Sequence, residues 1–421
     1  MDRVRRVCDL LGEPQRAFRV VHLTGTNGKT STSRMVERLL REHGLRTGRF
    51  TSPHLTSVTE RIAIDGEPVT AERFVELWRD VAPYVHMVDT ESLAAGGPRM
   101  SFFEVLTVMA FAAFADAPVD VAVVEVGMGG EWDATNVVDA DVAVVTPVAL
   151  DHERWLGHSV VEIAGEKSGI IKDGCTVVLA DQREEVEGIM LAAAAERGAR
   201  VLREGVDLEV AGRQVAVGGQ VVDLRTSGGL YTGVLLPLHG EHQAHNALLA
   251  LSAAEALLRS GGALAADVVE AAFADVTSPG RLEVVRASPT VLVDAAHNPA
   301  GVEALVAAVE EAFAFSRLVG VVGVMADKDA EQILAGLEPA LAEVVVTRSA
   351  SDRSLDVEEL RQVAEDVFGP DRVHVAERLD EAVARAVEVA EAGNEGALTA
   401  AGVLVTGSVV LAAEARTLMG R

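Results

Sequence analysis

The chain reads as an α/β protein whose first half is built around a phosphate-binding turn, and three observations predict this class. Val20, Val21 and Leu23 end an apolar strand that runs directly into Gly25-Thr26-Asn27-Gly28-Lys29-Thr30. Val119 to Val126 and Val142 to Val145 are nearly unbroken apolar runs, as strands of a parallel sheet buried on both faces show. From about residue 287 strand and helix patterns alternate regularly, which predicts a second, mainly parallel sheet.

The elements follow in order. Val4, Val7 and Leu11 lie on one face of a short helix over residues 1–12. After the first strand, glycines at 25 and 28 permit a tight turn where other residues resist positive φ. Met35, Val36, Leu39 and Leu40 then recur at helical spacing as far as Gly44, a C′ glycine. A turn between a strand and a helix N-terminus collects free N–H groups and the helix dipole, which suits a phosphate. Lys29 adds a positive charge for the β/γ-phosphates, and Thr30 offers a hydroxyl to Mg²⁺. The six residues GTNGKT are shorter than the usual P-loop, because Leu23 stands where that pattern has its first glycine.

Arg49-Phe50 leads into the loop TSPHLTSVTERI, where Pro53 is incompatible with a strand interior and Ser52 is a loop hydroxyl. Residues 101–115 form a strongly apolar, buried helix. Glu125 lies near the carboxyl end of one apolar strand, and the strand at 142–145 leads through Pro147 to Asp151 and His152. The carboxyl ends of strands form the ligand crevice in doubly wound sheets. Gly25–Thr30, Glu125 and His152 are therefore read together as a nucleotide–metal site. A hydroxyl and a carboxylate are ordinary Mg²⁺ ligands, whereas an imidazole is less usual for so hard an ion. Residues 159–172 read as a helix with Lys167 among Ile163, Ile170 and Ile171, a costly place for a lysine unless it is paired, snorkels or is chemically altered. Residues 176–236 read as a β-rich segment with glycine turns, and a helix with Asn246 near its start follows. Arg281, beside a Pro-Gly turn, marks the linker.

In the second half the strands are VLVDAA, LVGVVGVM, EVVVTRS, RVHVAE and VLVTGS, with helices near 299–314, 330–342, 356–367 and 379–392. Asn298 can cap the first of these helices with Pro299 at N1, but capping does not explain Asp294 and His297 at a strand's carboxyl end. The expected organisation is a P-loop-type domain over 1–284, with a small β-rich part at about 176–236, and a second, Rossmann-like α/β domain over 285–421.

Composition narrows the function. A net charge of −27 argues against nonspecific nucleic-acid binding and requires a local basic pocket for any anionic substrate. Two cysteines, Cys8 and Cys175, indicate no disulfide framework and fit a reducing cytoplasm. The longest apolar stretch, 105–115, is too short to span a membrane. The N-terminal residues carry no signal-peptide pattern, and a soluble monomer is expected.

The motifs GTNGKT, TSPHL, FFE, EVGMGGEWDATN, DH, EKSGIIK, HNA, PGR and DAAHNP occur in an order that resembles the folylpolyglutamate synthase/dihydrofolate synthase branch of the Mur ligase superfamily. The resemblance runs from about residue 17 onward, and Trp132 departs from it where the branch usually carries leucine. It implies an ATP-dependent amide ligase that adds L-glutamate to dihydropteroate or reduced folates through an acyl phosphate. By that resemblance Gly25, Thr26, Asn27, Gly28, Lys29 and Thr30 hold ATP, with Asn246, Arg281 and Asp294 as further nucleotide contacts. Thr30, Ser52, Glu125 and His152 match Mg²⁺ positions, Lys167 matches a lysine carbamylated in many members, and His297 matches a histidine of the C-terminal site wall. Ser101, Phe102, Phe103 and Glu104, with Trp132, Asp133 and Ala134, match pterin-binding segments of bifunctional members. The alternatives are a mono-functional folylpolyglutamate synthase, another Mur-type ligase, and a P-loop NTPase that ligates nothing.

Overall fold

A computed structural model describes residues 1–259, 262–392 and 401–420, divided into two compact units. The first comprises Met1–Ala216, Gln220–Pro237 and Gln243–Thr277, and the second Val217–Gly219, Leu238–His242 and Ser278–Arg421.

The first unit begins with α1 (Asp2–Leu10), β1 (Arg19–Thr24), α2 (Lys29–Glu42), β2 (Thr47–Phe50), β3 (Ile62–Ile64) and β4 (Glu67–Pro68). Helices α3 (Ala71–Ala94) and α4 (Phe102–Asp116) follow, then β5 (Val121–Glu125), β6 (Val142–Val145), α5 (Glu153–Leu156) and α6 (Val160–Ser168). The chain continues through β7 (Thr176–Leu179), α7 (Glu184–Glu196), β8 (Arg200–Arg203), β9 (Glu209–Ala216), β10 (Gly219–Arg225) and β11 (Leu230–Leu236). It ends in α8 (Glu241–Arg259) and α9 (Ala266–Ala274).

Eight strands form one sheet in the order β4-β3-β2-β5-β1-β6-β7-β8, parallel from β2 to β8. β1 lies between β5 and β6, two strands that come much later in the chain, so its carboxyl end opens at a change of strand order. The buried runs Val121–Val124 and Val142–Val145 are the central strands that the sequence predicts. The register puts Ala122 and Val124 on the same face as Ala143, Val145 and Val177. On that face Val4, Val81 and Phe111 of α1, α3 and α4 join one core, and Ile163 of α6 and Met190 of α7 pack with Val177 in a second.

The segment 176–236 differs from its sequence reading. β7 and β8 extend the main sheet, α7 stands between them, and only β9, β10 and β11 form a separate three-stranded sheet. The helix read over 159–172 stops at Ser168, yet Ile163, Ile170 and Ile171 are all buried as its apolar stripe requires.

The second unit contains β12 (Glu283–Ala287), β13 (Thr290–Val293), α10 (Pro299–Ala312), β14 (Arg317–Val322), α11 (Ala330–Leu337) and β15 (Glu343–Val346). After these come α12 (Val357–Phe368), β16 (Val373–Val375), α13 (Leu379–Glu391), β17 (Ala401–Thr406) and α14 (Val409–Leu418). Its sheet runs β12-β13-β17-β14-β15-β16, parallel except for β12. Asn298 caps α10 by accepting from the Gly301 N–H at 2.8 Å, and Pro299 occupies N1.

Candidate active site

The turn after β1 is shaped by close contact. Gly25 has φ +138°, and a Cβ there would lie 1.9 Å from Thr146 Oγ1. Gly28 has φ +91°, and a Cβ there would lie 2.5 Å from Asn246 Oδ1. Neither position admits another residue without displacing its neighbour. The loop is also bonded to the segment after β6: the Thr26 N–H donates to the Pro147 carbonyl at 2.9 Å, and the Ala149 N–H donates to Thr26 Oγ1 at 3.0 Å. Asn246 thus joins the turn from α8, more than 200 residues away in sequence.

Lys29 folds back over its own turn, donating to the carbonyls of Gly25 at 2.7 Å and Thr26 at 3.0 Å. Lys167, on the last turn of α6, is buried and donates to the same Gly25 carbonyl at 3.0 Å. Burial and then the Lys29 charge push its pKa down to about 7, against the opposing pull of Asp151 and Asp133. Among the described residues no acid is bonded to Lys167.

Glu125 ends β5 with no exposed surface. Its Oε2 accepts from Thr30 Oγ1 at 3.1 Å and its Oε1 from Ser33 Oγ at 2.5 Å. Burial raises its pKa, and Ser33, Lys29, Arg49 and Thr30 oppose the rise. A hydroxyl and a carboxylate at this separation form an oxygen pair suited to a small hard cation that retains water and phosphate ligands. Ser52 leaves the carboxyl end of β2, the neighbour of β5, and is half-buried. His152 caps α5 in a left-handed conformation (φ +53°), with Nε2 3.9 Å from Asp151 Oδ2. Among the described residues no three His, Cys, Asp or Glu side chains gather into a metal cluster.

The segments matched to a pterin site have partners of their own. Ser101 and Glu104 cap α4 reciprocally: Ser101 N–H donates to Glu104 Oε2 at 2.7 Å and Glu104 N–H to Ser101 Oγ at 3.3 Å. Arg3 pairs with Glu104 at 2.9 Å. Phe103 packs against Phe50 with ring centres 5.6 Å apart, whereas Phe102 and Trp132 are exposed. Asp133 is buried and accepts from Met128 N–H, Thr135 N–H and Thr135 Oγ1 at 2.9, 2.9 and 2.6 Å. Its carboxylate therefore braces the loop in which Ala134 is also buried. The sequence reading passed over His54 and Arg61, which join Phe102 in one cluster. Arg61 Nε donates to His54 Nδ1 at 2.9 Å and the guanidinium lies 5.5 Å from the Phe102 ring centre. Only an Arg seven residues from a His in a loop signals this pairing in the sequence.

Arg281, Asp294 and His297 lie in the second unit. Asp294 is buried, and its two oxygens accept from the N–H groups of Leu282 and Ala296, each at 2.7 Å. Burial raises its pKa while the Arg281 charge lowers it. The bond to Leu282 holds that bulky residue at φ +43°, a strained conformation that joins the Arg281 turn to the end of β13. His297 Nδ1 lies 2.8 Å from the Ala295 carbonyl. A carbonyl only accepts, so Nδ1 carries a proton and Nε2 is the acceptor of the neutral ring.

Comparison with known proteins places this geometry. Residues 23–254 match the Mur ligase middle domain, and residues 280–409 match the Mur ligase glutamate ligase domain. The chain is 51% identical to a dihydrofolate synthase/folylpolyglutamate synthase of Mycobacterium tuberculosis, over 100% of this chain and 90% of that one. It is 34% identical to the Escherichia coli protein of the same description, over 80% of this chain and 75% of that one. Crystal structures of the M. tuberculosis folylpolyglutamate synthase complexed with ADP and AMPPCP superpose with a TM-score of 0.97, covering 100% of this chain and 95% of the other.

Proposed function

The chain belongs to the Mur ligase family, in its dihydrofolate synthase/folylpolyglutamate synthase branch, and from that premise we infer an ATP-dependent ligase that joins L-glutamate to dihydropteroate and to reduced folates. The observation that carries the reading is the turn at Gly25–Thr30, with Lys29 and Lys167 both directed at the Gly25 carbonyl and the Thr30 hydroxyl bonded to Glu125.

The chemistry runs in two steps. A carboxylate oxygen of the folate substrate attacks the γ-phosphorus of ATP, the bond to the β-phosphate oxygen breaks, and ADP leaves an acyl phosphate. The α-amino group of glutamate then attacks the acyl carbon, loses a proton, and the tetrahedral intermediate expels phosphate. Phosphoryl transfer needs positioning and charge neutralisation above all. Lys29 has both in reach: exchanging its bonds to the Gly25 and Thr26 carbonyls for phosphate oxygens needs only side-chain rotation. Thr30 and Glu125 would hold Mg²⁺, aided by Ser52 and His152, and the ion would supply positive charge to the phosphates. Asn246, Arg281 and Asp294 are assigned to the nucleotide. His297 is assigned to the glutamate step, where Nε2 can accept the proton released by the amine. Phe102 and Trp132 offer exposed aromatic surface to the pterin, while Ser101, Phe103, Glu104, Asp133 and Ala134 shape its surroundings.

Lys167 is assigned a carbamate. Its pKa near 7 leaves a neutral amine able to add CO₂, and the anionic product would answer the charge of Lys29. The two free cysteines are buried and no described helix is long and apolar enough to cross a membrane, which supports a cytoplasmic enzyme. We assign it a monomeric state, to be checked by sedimentation. The deciding assay is phosphate release with dihydropteroate and tetrahydrofolate side by side, each with and without glutamate. Glutamate-dependent release with both is expected. Release with tetrahydrofolate alone would make the enzyme a mono-functional folylpolyglutamate synthase, and glutamate-independent release would remove the ligase assignment.

A further inference from the structure

The segment Thr51–Arg61 leaves the carboxyl end of β2 and is closed on itself, the Thr51 N–H donating to the Arg61 carbonyl at 3.1 Å. One carboxylate shapes its interior. Glu60 accepts from the N–H groups of Leu55, Thr56 and Ser57 at 2.9, 2.9 and 2.8 Å, a set of bonds that holds its pKa low despite burial. The next side chain fixes the histidine. Arg61 Nε lies 2.9 Å from His54 Nδ1, and a guanidinium has donors only, so Nδ1 must be the acceptor. The imidazole proton is then on Nε2. An Nδ1 that accepts a hydrogen bond carries no proton, so the ring is the neutral Nε2–H tautomer. No described residue accepts from its Nε2. The guanidinium that fixes it also lies against the ring of Phe102, which is 61% exposed and able to meet a flat ligand.

We propose that His54, with its proton held on Nε2 by Arg61, is a specificity-determining residue that donates a hydrogen bond to an acceptor atom on the heteroaromatic part of the acid substrate. The assignment rests on the folate-ligase reading, because it needs a flat heteroaromatic ligand beside Phe102. A neutral donor suits a ring carbonyl or ring nitrogen, and the directed geometry selects among ligands by where that acceptor lies.

The test uses the full-length enzyme with dihydropteroate and with tetrahydrofolate at saturating ATP, Mg²⁺ and glutamate. His54→Ala is expected to raise the KM for the pterin substrate by about 3- to 10-fold, the worth of one neutral hydrogen bond, and to leave the KM for ATP and glutamate unchanged. His54→Gln, whose amide keeps a donor, is expected to recover most of the loss. Imidazole ¹⁵N spectra of the wild-type protein near pH 7 should show His54 protonated on Nε2 alone. An unchanged pterin KM in His54→Ala, a folded His54→Gln no better than Ala, or a proton on Nδ1 would each overturn the proposal. Wild-type enzyme that ligates neither pterin substrate would instead refute the functional reading on which it rests.

Discussion

The Gly25 carbonyl accepts from Lys29 at 2.7 Å and from Lys167 at 3.0 Å, so two lysine nitrogens share one oxygen. Two consequences can be measured. Lys29→Ala should lower kcat by about 10²–10³, the usual effect of removing one electrostatic stabiliser of a transition state. Its melting temperature should be nearly unchanged, since its bonds to the Gly25 and Thr26 carbonyls stay within its own turn; wild-type turnover at saturating ATP would contradict the role. Lys167 carries a cost in stability instead. Its folded pKa is about 7, whereas an unfolded lysine titrates near 10.4. Between these values the unfolded chain binds more protons than the native one, so stability rises with pH across the window. The cost of a few kcal/mol is fully present below about pH 7 and gone by about pH 10. Lys167→Met should therefore be more stable than wild type in bicarbonate-free buffer at pH 6 to 7, with the advantage shrinking toward pH 10. Urea titrations across this range check the sign, and an advantage that grew with pH would mean that Lys167 is stabilised as a cation.

Helix α2 is fastened at both its start and its middle. Gly28 at its N-terminus touches Asn246, and Glu37 forms a buried ion pair with Arg49 of β2 at 2.5 Å. The pair is enclosed, with side-chain exposures of 4% and 2%. Glu37 also accepts from the Gly66 N–H at 3.1 Å and from Thr47 Oγ1 at 3.3 Å. Removing one partner of such a pair leaves a buried charge, so Arg49→Met should cost about 3–5 kcal/mol in urea unfolding. Glu37→Gln combined with Arg49→Met should recover a substantial part, because the amide still accepts from Gly66 and carries no charge. Equal losses in the single and double variants would show that packing, not charge, sets the cost. The helix itself is legible from Met35, Val36, Leu39 and Leu40, but the pair is not, since Arg49 reaches Glu37 only after β2 forms. Other elements hide for local reasons. α7 is Ala-rich and flanked by strand-like Val and glycine turns, so its residues merged with a β-rich reading. α3 contains Pro83 and weak apolar periodicity, which left it unread in the sequence.

Across the whole molecule, the legible parts of the site are those in which chemistry and backbone geometry are contiguous. Gly25–Thr30 reads directly because glycines, lysine and hydroxyl occupy one turn. The placement of Asn246 against Gly28 and of Lys167 against Gly25 depends on strand order and helix packing, so residue type suggests these sites without locating them. The charge of the chain acts at yet longer range. A protein of net charge −27 has to admit an anionic nucleotide and anionic acid substrates. At about 10 mM salt the Debye length is near 30 Å, so acidic groups across the first unit repel the nucleotide. At about 150 mM it is near 8 Å, and only close groups such as Lys29, within a few bonds of the turn, are still felt. Salt therefore removes the distant repulsion while sparing most of the local attraction. The KM for ATP should fall as KCl is raised from 10 to 150 mM at constant free Mg²⁺, the opposite of a site steered by a basic surface. The melting temperature should rise over the same range as self-repulsion is screened. If the KM rose while the melting temperature increased, the local field of the turn would dominate even at low salt, and the acidic surface would play no part in nucleotide capture.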